Sequence, residues 1–204
     1  SQTEVRFVKT KGIVLIEVDD LLEGGDADHR QKMSLLQKTF KFGKHNSLKC
    51  SEGGTFDGMR IRQNRDGSFF MTMKDFILQR LRGFELDKAR RKDRTATITQ
   101  AEHDQTRRVA GGLLWVARKC RPDAAAAVNL LQRKGRDATV QDLLNTNKVI
   151  QHLKATADLG IHVRPVPMET VRVCAYADAS LNNVDRTKSQ GATIIGLVDD
   201  MVLS

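Results

Sequence analysis

The chain has 204 residues, with 34 Lys and Arg against 25 Asp and Glu, a net charge of +9 and a pI of about 9.7. Apolar residues make up 40% and charged residues 29%, which supports a modest core and excludes an acidic or wholly disordered polypeptide. No apolar run approaches the roughly 18 residues of a membrane span, and no stretch reads as a secretory leader. Ser1 in place of Met predicts an excised piece of something longer. Cys50, Cys120 and Cys174 are odd in number and scattered, so they predict reduced thiols in an intracellular protein, neither a disulfide framework nor a zinc site.

Charge is distributed unevenly. Residues 1–28 carry three basic and seven acidic side chains, and residues 165–204 carry three and five. Between them, residues 29–65 carry nine and two, residues 80–94 seven and three, and residues 104–136 eight and two. Basic segments beside clustered carboxylates suit nucleic-acid chemistry, because Lys and Arg neutralise phosphates while carboxylates hold divalent metal. A soluble basic protein with solvated helix faces has the same composition.

In chain order, Gly12–Val18 (GIVLIEV) reads as a buried strand, being β-branched, apolar and too short for a helix. It runs into Asp19-Asp20, and 21–25 returns as its hairpin partner. Asp26 N-caps a helix with Met33, Leu36 and Phe40 on one face, which Gly43 closes. Thr55–Gln63 is strand-like, with Met59 and Ile61 on one face and Arg60 and Arg62 on the other. Asp66-Gly67 predicts a hairpin turn into 69–73. Residues 74–84 read as a helix through Ile77, Leu81 and Phe84.

The next stretch is helical. Thr99 and Glu102 form a capping box ahead of the stripe Val109, Leu113, Val116, Ala117 and Cys120. Arg121-Pro122-Asp123 ends that helix and opens another. Thr139 caps a third, with Leu143, Ile150 and Leu153 on one side. These stripes are expected to be core. Beyond a break near 160–168, Val171, Val173, Ala175 and Ala177 alternate with polar residues, and a last strand spans roughly 192–198. The fold class is α+β.

The sharpest chemical signal is Val18-Asp19-Asp20. Adjacent carboxylates raise each other's pKa, a cost that bound Mg²⁺ removes; an exposed acidic turn is the plainer alternative. Receiver domains also place an acidic pair after a first strand. They need a second apolar strand ending in Asp, and Asp57 is preceded by Gly53-Gly54-Thr55-Phe56 instead.

Six segments in order carry a resemblance. They are 12–22 (GIVLIEVDDLL), 56–61 (FDGMRI), 107–128 with Gly112-Leu113-Leu114-Trp115 and Arg121-Pro122-Asp123, 152–160 (HLKATADLG), 176–180 (YADAS) and 188–191 (KSQG). Together they resemble the reverse-transcriptase and ribonuclease H region of a copia-type retrotransposon polyprotein. The resemblance implies the later part of the palm and the start of the thumb over residues 1–92. It implies a helical thumb and connection over 93–164, and the first strands of a ribonuclease H-like domain over 165–204.

The resemblance further implies two-metal nucleotidyl transfer with Mg²⁺ or Mn²⁺. Asp19 and Asp20 would be catalytic palm ligands, Asp19 the more direct, and Asp178 the first ribonuclease H carboxylate. Phe56, Gly58, Met59, Arg60 and Arg62 would contact the primer. The implied partners are an RNA template, a DNA primer and deoxynucleotides, with no membrane, in a cytoplasmic particle or the nucleus. Glu17 stands where the pattern has Tyr. The third palm carboxylate of the pattern lies further upstream, and the remaining ribonuclease H ligands lie beyond residue 204. The chain alone is therefore expected not to polymerise. A remnant that only binds nucleic acid or a protein partner is the alternative.

Overall fold

The computed structural model describes residues 9–167, 169–185 and 188–199, and the protein is mixed α and β. The first unit is a two-stranded antiparallel ribbon, β1 (Gly12–Glu17) and β2 (Asp20–Gly25), paired from Gly12 with Gly25 to Glu17 with Asp20. That register leaves Val18-Asp19 as the turn. Val18 sits at φ 51, a left-handed conformation that a β-branched residue adopts only at a cost of roughly 1–3 kcal/mol.

The ribbon forms as expected, but β1 is not buried: Ile13 is 62% exposed and Ile16 71%. The helix that packs against the ribbon among the described residues is α1 (Ala27–Thr39), and it covers the open end through His29. Gly12 and Gly25 face each other there because the His29 ring fills the space. A Cβ on Gly12 would lie 2.3 Å from the ring, and one on Gly25 2.5 Å. His29 Nε2 then meets Glu23 Oε2 at 3.0 Å. Asp26 caps α1 as expected, accepting the His29 N–H at 3.1 Å. The helix stops at Thr39, before Gly43, because Phe40 turns to extended backbone; Leu36 and Phe40 are exposed, so Met33 alone of that stripe is buried.

A second sheet has the antiparallel order β3 (Gly54–Phe56), β4 (Met59–Gln63), β5 (Phe69–Thr72) and β6 (Ile161–Val163). The stretch 55–63 is thus a hairpin, folded at Asp57 (φ 50) and Gly58 (φ 72). Two successive left-handed residues make the tight turn that Asp-Gly favours. Ile61 is buried while Arg60 and Arg62 are exposed, as the alternation predicts. At the next turn, buried Ser68 donates to Asp66 Oδ1 at 2.6 Å, and its hydroxyl meets His162 Nε2 of β6 at 2.9 Å. Ser68 gives its hydroxyl and, at 3.0 Å, its backbone N–H to the Asp66 carboxyl, and these two bonds hold it below its usual pKa.

The core lies under this sheet. Helices α2 (Lys74–Gln79), α3 (Lys88–Lys92), α4 (Gln100–Lys119), α5 (Ala125–Lys134) and α6 (Val140–Ala155) bring together Ile77, Leu113, Val116, Val128, Leu143 and Leu153, all essentially inaccessible. Every residue of the α4 stripe is buried, as are Leu143, Ile150 and Leu153. The capping box at Thr99 and Glu102 forms, and Pro122 opens a single 3₁₀ turn ahead of α5.

One helix is shorter than its pattern. α2 ends at Gln79, although Leu81 and Phe84 are buried beyond it. The Asn147 side chain on α6 takes both backbone groups of Phe84, accepting its N–H at 2.8 Å and donating to its carbonyl at 2.9 Å. A distant amide thereby replaces the helical ladder. The short α3, capped by Asp87, has no counterpart in the sequence reading.

β7 (Val171–Asp185) and β8 (Lys188–Asp199) form a long antiparallel ribbon with a register shift between Ser180 and Asp185. The last strand begins at 188, four residues before the expected 192. Val173, Ile195 and Leu197 are each about two-thirds exposed or more.

Candidate nucleic-acid and metal site

Two turns and one helix end meet at a single place. Asp20, first residue of β2 and half-buried, accepts the backbone N–H of Asp57 on Oδ2 at 2.7 Å. Asp57 is held in the left-handed conformation that presents this N–H outward from its turn. Its own carboxylate, 11% exposed, accepts a salt bridge from Lys119 Nζ at the end of α4. Lys119 Nζ also stands 4.7 Å from the centroid of the Trp115 ring, one helical turn back. The Val18-Asp19 turn with Asp20 at its foot, the Asp57-Gly58 turn and the last turn of α4 are therefore one connected structure.

The tip is strongly acidic. Glu17 is the register partner of Asp20, and Asp19 lies between them. Like charges facing each other across a ribbon disfavour pairing. The Asp57 N–H relieves this at Asp20, and Lys119 neutralises the carboxylate behind it.

The donor set suits divalent metal in part. Asp19 has no partner among the described residues, and Asp20 retains Oδ1. Two carboxylates are what Mg²⁺ takes when phosphate oxygens and water complete its shell. Among the described residues no three His, Cys, Asp or Glu side chains form a metal-holding group, and Asp57 is engaged by Lys119.

The expected primer contacts fall around the same turn. Phe56 and Met59 flank it as a register pair, both half-buried, with Met59 packed on the core. Gly58 is exposed at the turn itself. Arg60 is committed elsewhere: its Nη2 lies 2.8 Å from Asp75 Oδ2. Arg62, across from Phe70, is exposed and has no partner among the described residues, so of the two arginines it is the one available to a phosphate. Asp178 is apart from this group. It lies exposed on β7 opposite Ala192, and its Oδ1 accepts the Ala179 N–H at 2.9 Å.

Two of the sequence motifs lock together structurally. Arg121 is buried and donates twice to Asp123, at 2.9 and 2.7 Å. It donates twice more to Thr156, to the carbonyl and to Oγ1, both at 2.8 Å. The Arg121 guanidinium holds the Asp123 carboxyl below its ordinary pKa. Gly160 packs so tightly on β5 that a Cβ would meet the Met71 carbonyl oxygen at 2.1 Å.

Sequence reasoning missed Asp57, Lys119 and the pairing of Arg121 with Thr156. The Asp-Gly dipeptide at 57–58 carried the signal for the turn; nothing local announced Lys119, 62 residues away. Comparison of the chain with protein-family models, curated proteins and solved structures found no match.

Proposed function

We propose that the chain is the palm-to-connection part of a copia-type reverse transcriptase, continuing into the first strands of ribonuclease H, and that it holds a primer–template beside Asp19 and Asp20. The observation that carries this reading is the bond from the Asp57 N–H to Asp20. It joins the two segments that resemble the Asp-Asp hairpin and the primer-gripping turn, 37 residues apart. In this reading Asp19 and the free oxygen of Asp20 hold divalent metal, and the Asp57 N–H fixes the Asp20 carboxylate. Gly58 presents bare backbone to the primer end, and Arg62 meets a phosphate. Metal bound there supplies charge neutralisation at a transferred phosphate and lowers the pKa of an attacking hydroxyl. The exposed arginines of α4, Arg107, Arg108 and Arg118, add sequence-independent contact to the backbone.

A second reading, binding without chemistry, draws support from Glu17 facing Asp20 and from the engagement of Asp57 by Lys119. Both readings require salt-steep binding. The test is fluorescence anisotropy of a labelled RNA–DNA primer–template over a salt series. The log–log slope should be steep, should be similar for unrelated sequences, and should fall by about one unit in Arg62→Ser. Absence of binding at low salt, or binding indifferent to salt, would overturn the proposal.

A further inference from the structure

We infer that Trp115 and Lys119 form a nucleotide-holding point, with an unpaired base against the open part of the indole and its phosphate at the ammonium. The inference rests on the nucleic-acid reading above and names residues that reading does not use. Trp115 is the one tryptophan of the chain. Its neighbours on α4, Leu113, Val116 and Ala117, are buried, whereas Trp115 keeps 36% of its surface open.

Three features make this indole a recognition element. Its Nε1–H has no acceptor among the described residues. The edge bearing that N–H lies beside the Gly58 turn, where a Cβ would come to 3.5 Å from Nε1, so the indole and the turn border one another. Lys119 brings a cation to within 4.7 Å of the ring centroid. A planar π-face, a free donor and a cation match a base with its phosphate, and stacking on an aromatic side chain is worth about 1–3 kcal/mol per base.

The surrounding charge favours the same ligand. Residues 104–136 carry eight basic and two acidic side chains, and Arg118 lies exposed next to Lys119. Lys119 keeps its ion pair with Asp57 beside the indole, and its ammonium, with three donors, has a further one to give a phosphate. The contact sits on the turn whose N–H holds Asp20, so a strand seated here lies beside the acidic tip.

The single tryptophan makes the test specific. The full chain is titrated with dye-labelled single strands of about 12 nucleotides, DNA and RNA of one sequence, following anisotropy and indole emission together. Trp115 emission should be quenched with the same midpoint as the anisotropy rise. Trp115→Leu should weaken binding about tenfold, and Trp115→Phe, which keeps a stacking face, less than that. Lys119→Met should lower the salt slope by about one unit. Circular dichroism confirms that each variant is folded. Binding with unchanged emission, and with Trp115→Leu equal to wild type, would overturn the inference while leaving the nucleic-acid reading intact. Equal quenching by polyglutamate would overturn the assignment to a nucleotide. No binding to any strand or duplex would remove both.

Discussion

Replacing Asp123 by Ala should destabilise the protein more than its half-exposed position suggests. The Arg121 side chain is 3% exposed and Asp123 45%. A guanidinium cannot shed its proton, so without Asp123 it stays charged with only the neutral oxygens of Thr156. Removing one partner of a fully buried pair costs about 3–5 kcal/mol. Water reaches the Asp123 side, which reduces the figure to about 2–3 kcal/mol. In a chain of this length that lowers Tm by about 5–10 °C. Arg121→Met removes the charge together with its desolvation cost. The double variant should therefore be no worse than the harsher single one, with a coupling of about 1–3 kcal/mol. The assay is urea unfolding followed by circular dichroism. The Asp123 pKa is lowered in the fold, so its contribution is present above the unfolded carboxylate value and fades as pH falls through the folded one. The gap between wild type and Asp123→Ala should accordingly close in acid. An Asp123→Ala cost below about 0.5 kcal/mol, or additive single effects, would mean that Asp123 does not compensate the buried Arg121 charge.

Glu102 is drawn down to about 2, first by its bonds from Arg90, while it also caps α4. Its stabilisation is complete above the unfolded value of about 4.3 and disappears toward pH 2, so urea midpoints of wild type and Glu102→Gln should differ at pH 7 and converge in strong acid. Gly12→Ala drives a methyl into the His29 ring and should cost about 1–3 kcal/mol, and His29→Ala in the same chain should recover part of it in a thermal melt. Burial pushes the Cys120 thiol up to about 11, so a thiol reagent at pH 8 should label exposed Cys50 quickly and Cys120 only after unfolding, read by peptide mapping.

Much of the helical core was legible because its signals are local and periodic. The α4 stripe and the faces of α6 follow from apolar spacing, and Thr99 with Glu102 marks a helix start within four residues. What failed depended on distant groups. Beyond the end of α2, Phe84 is held by Asn147, more than sixty residues on, and no reading of 74–84 reveals that amide. The apolar run 12–17 correctly indicated a strand, but a run cannot report whether its faces are covered. Asp66-Gly67 was read as a turn while Asp57-Gly58 was absorbed into a strand, because the arm before it, Gly54–Phe56, is only three residues long. At the candidate site, the acidic pair stood out as a motif. Its attachment to Asp57, and the hold of Lys119 on Asp57, arise only once the ribbon, the sheet and α4 have met.

Metal binding at the acidic tip is tested by Mn²⁺ titration of the chain with a bound primer–template, comparing wild type with Asp19→Ala/Asp20→Ala at fixed ionic strength. If Asp19 and Asp20 hold metal beside the nucleic acid, Mn²⁺ should tighten duplex binding in the wild type and leave the double variant unchanged. If both chains bind the duplex equally well and ignore the metal, the acidic tip is no metal site, and the chain holds nucleic acid without acting on it.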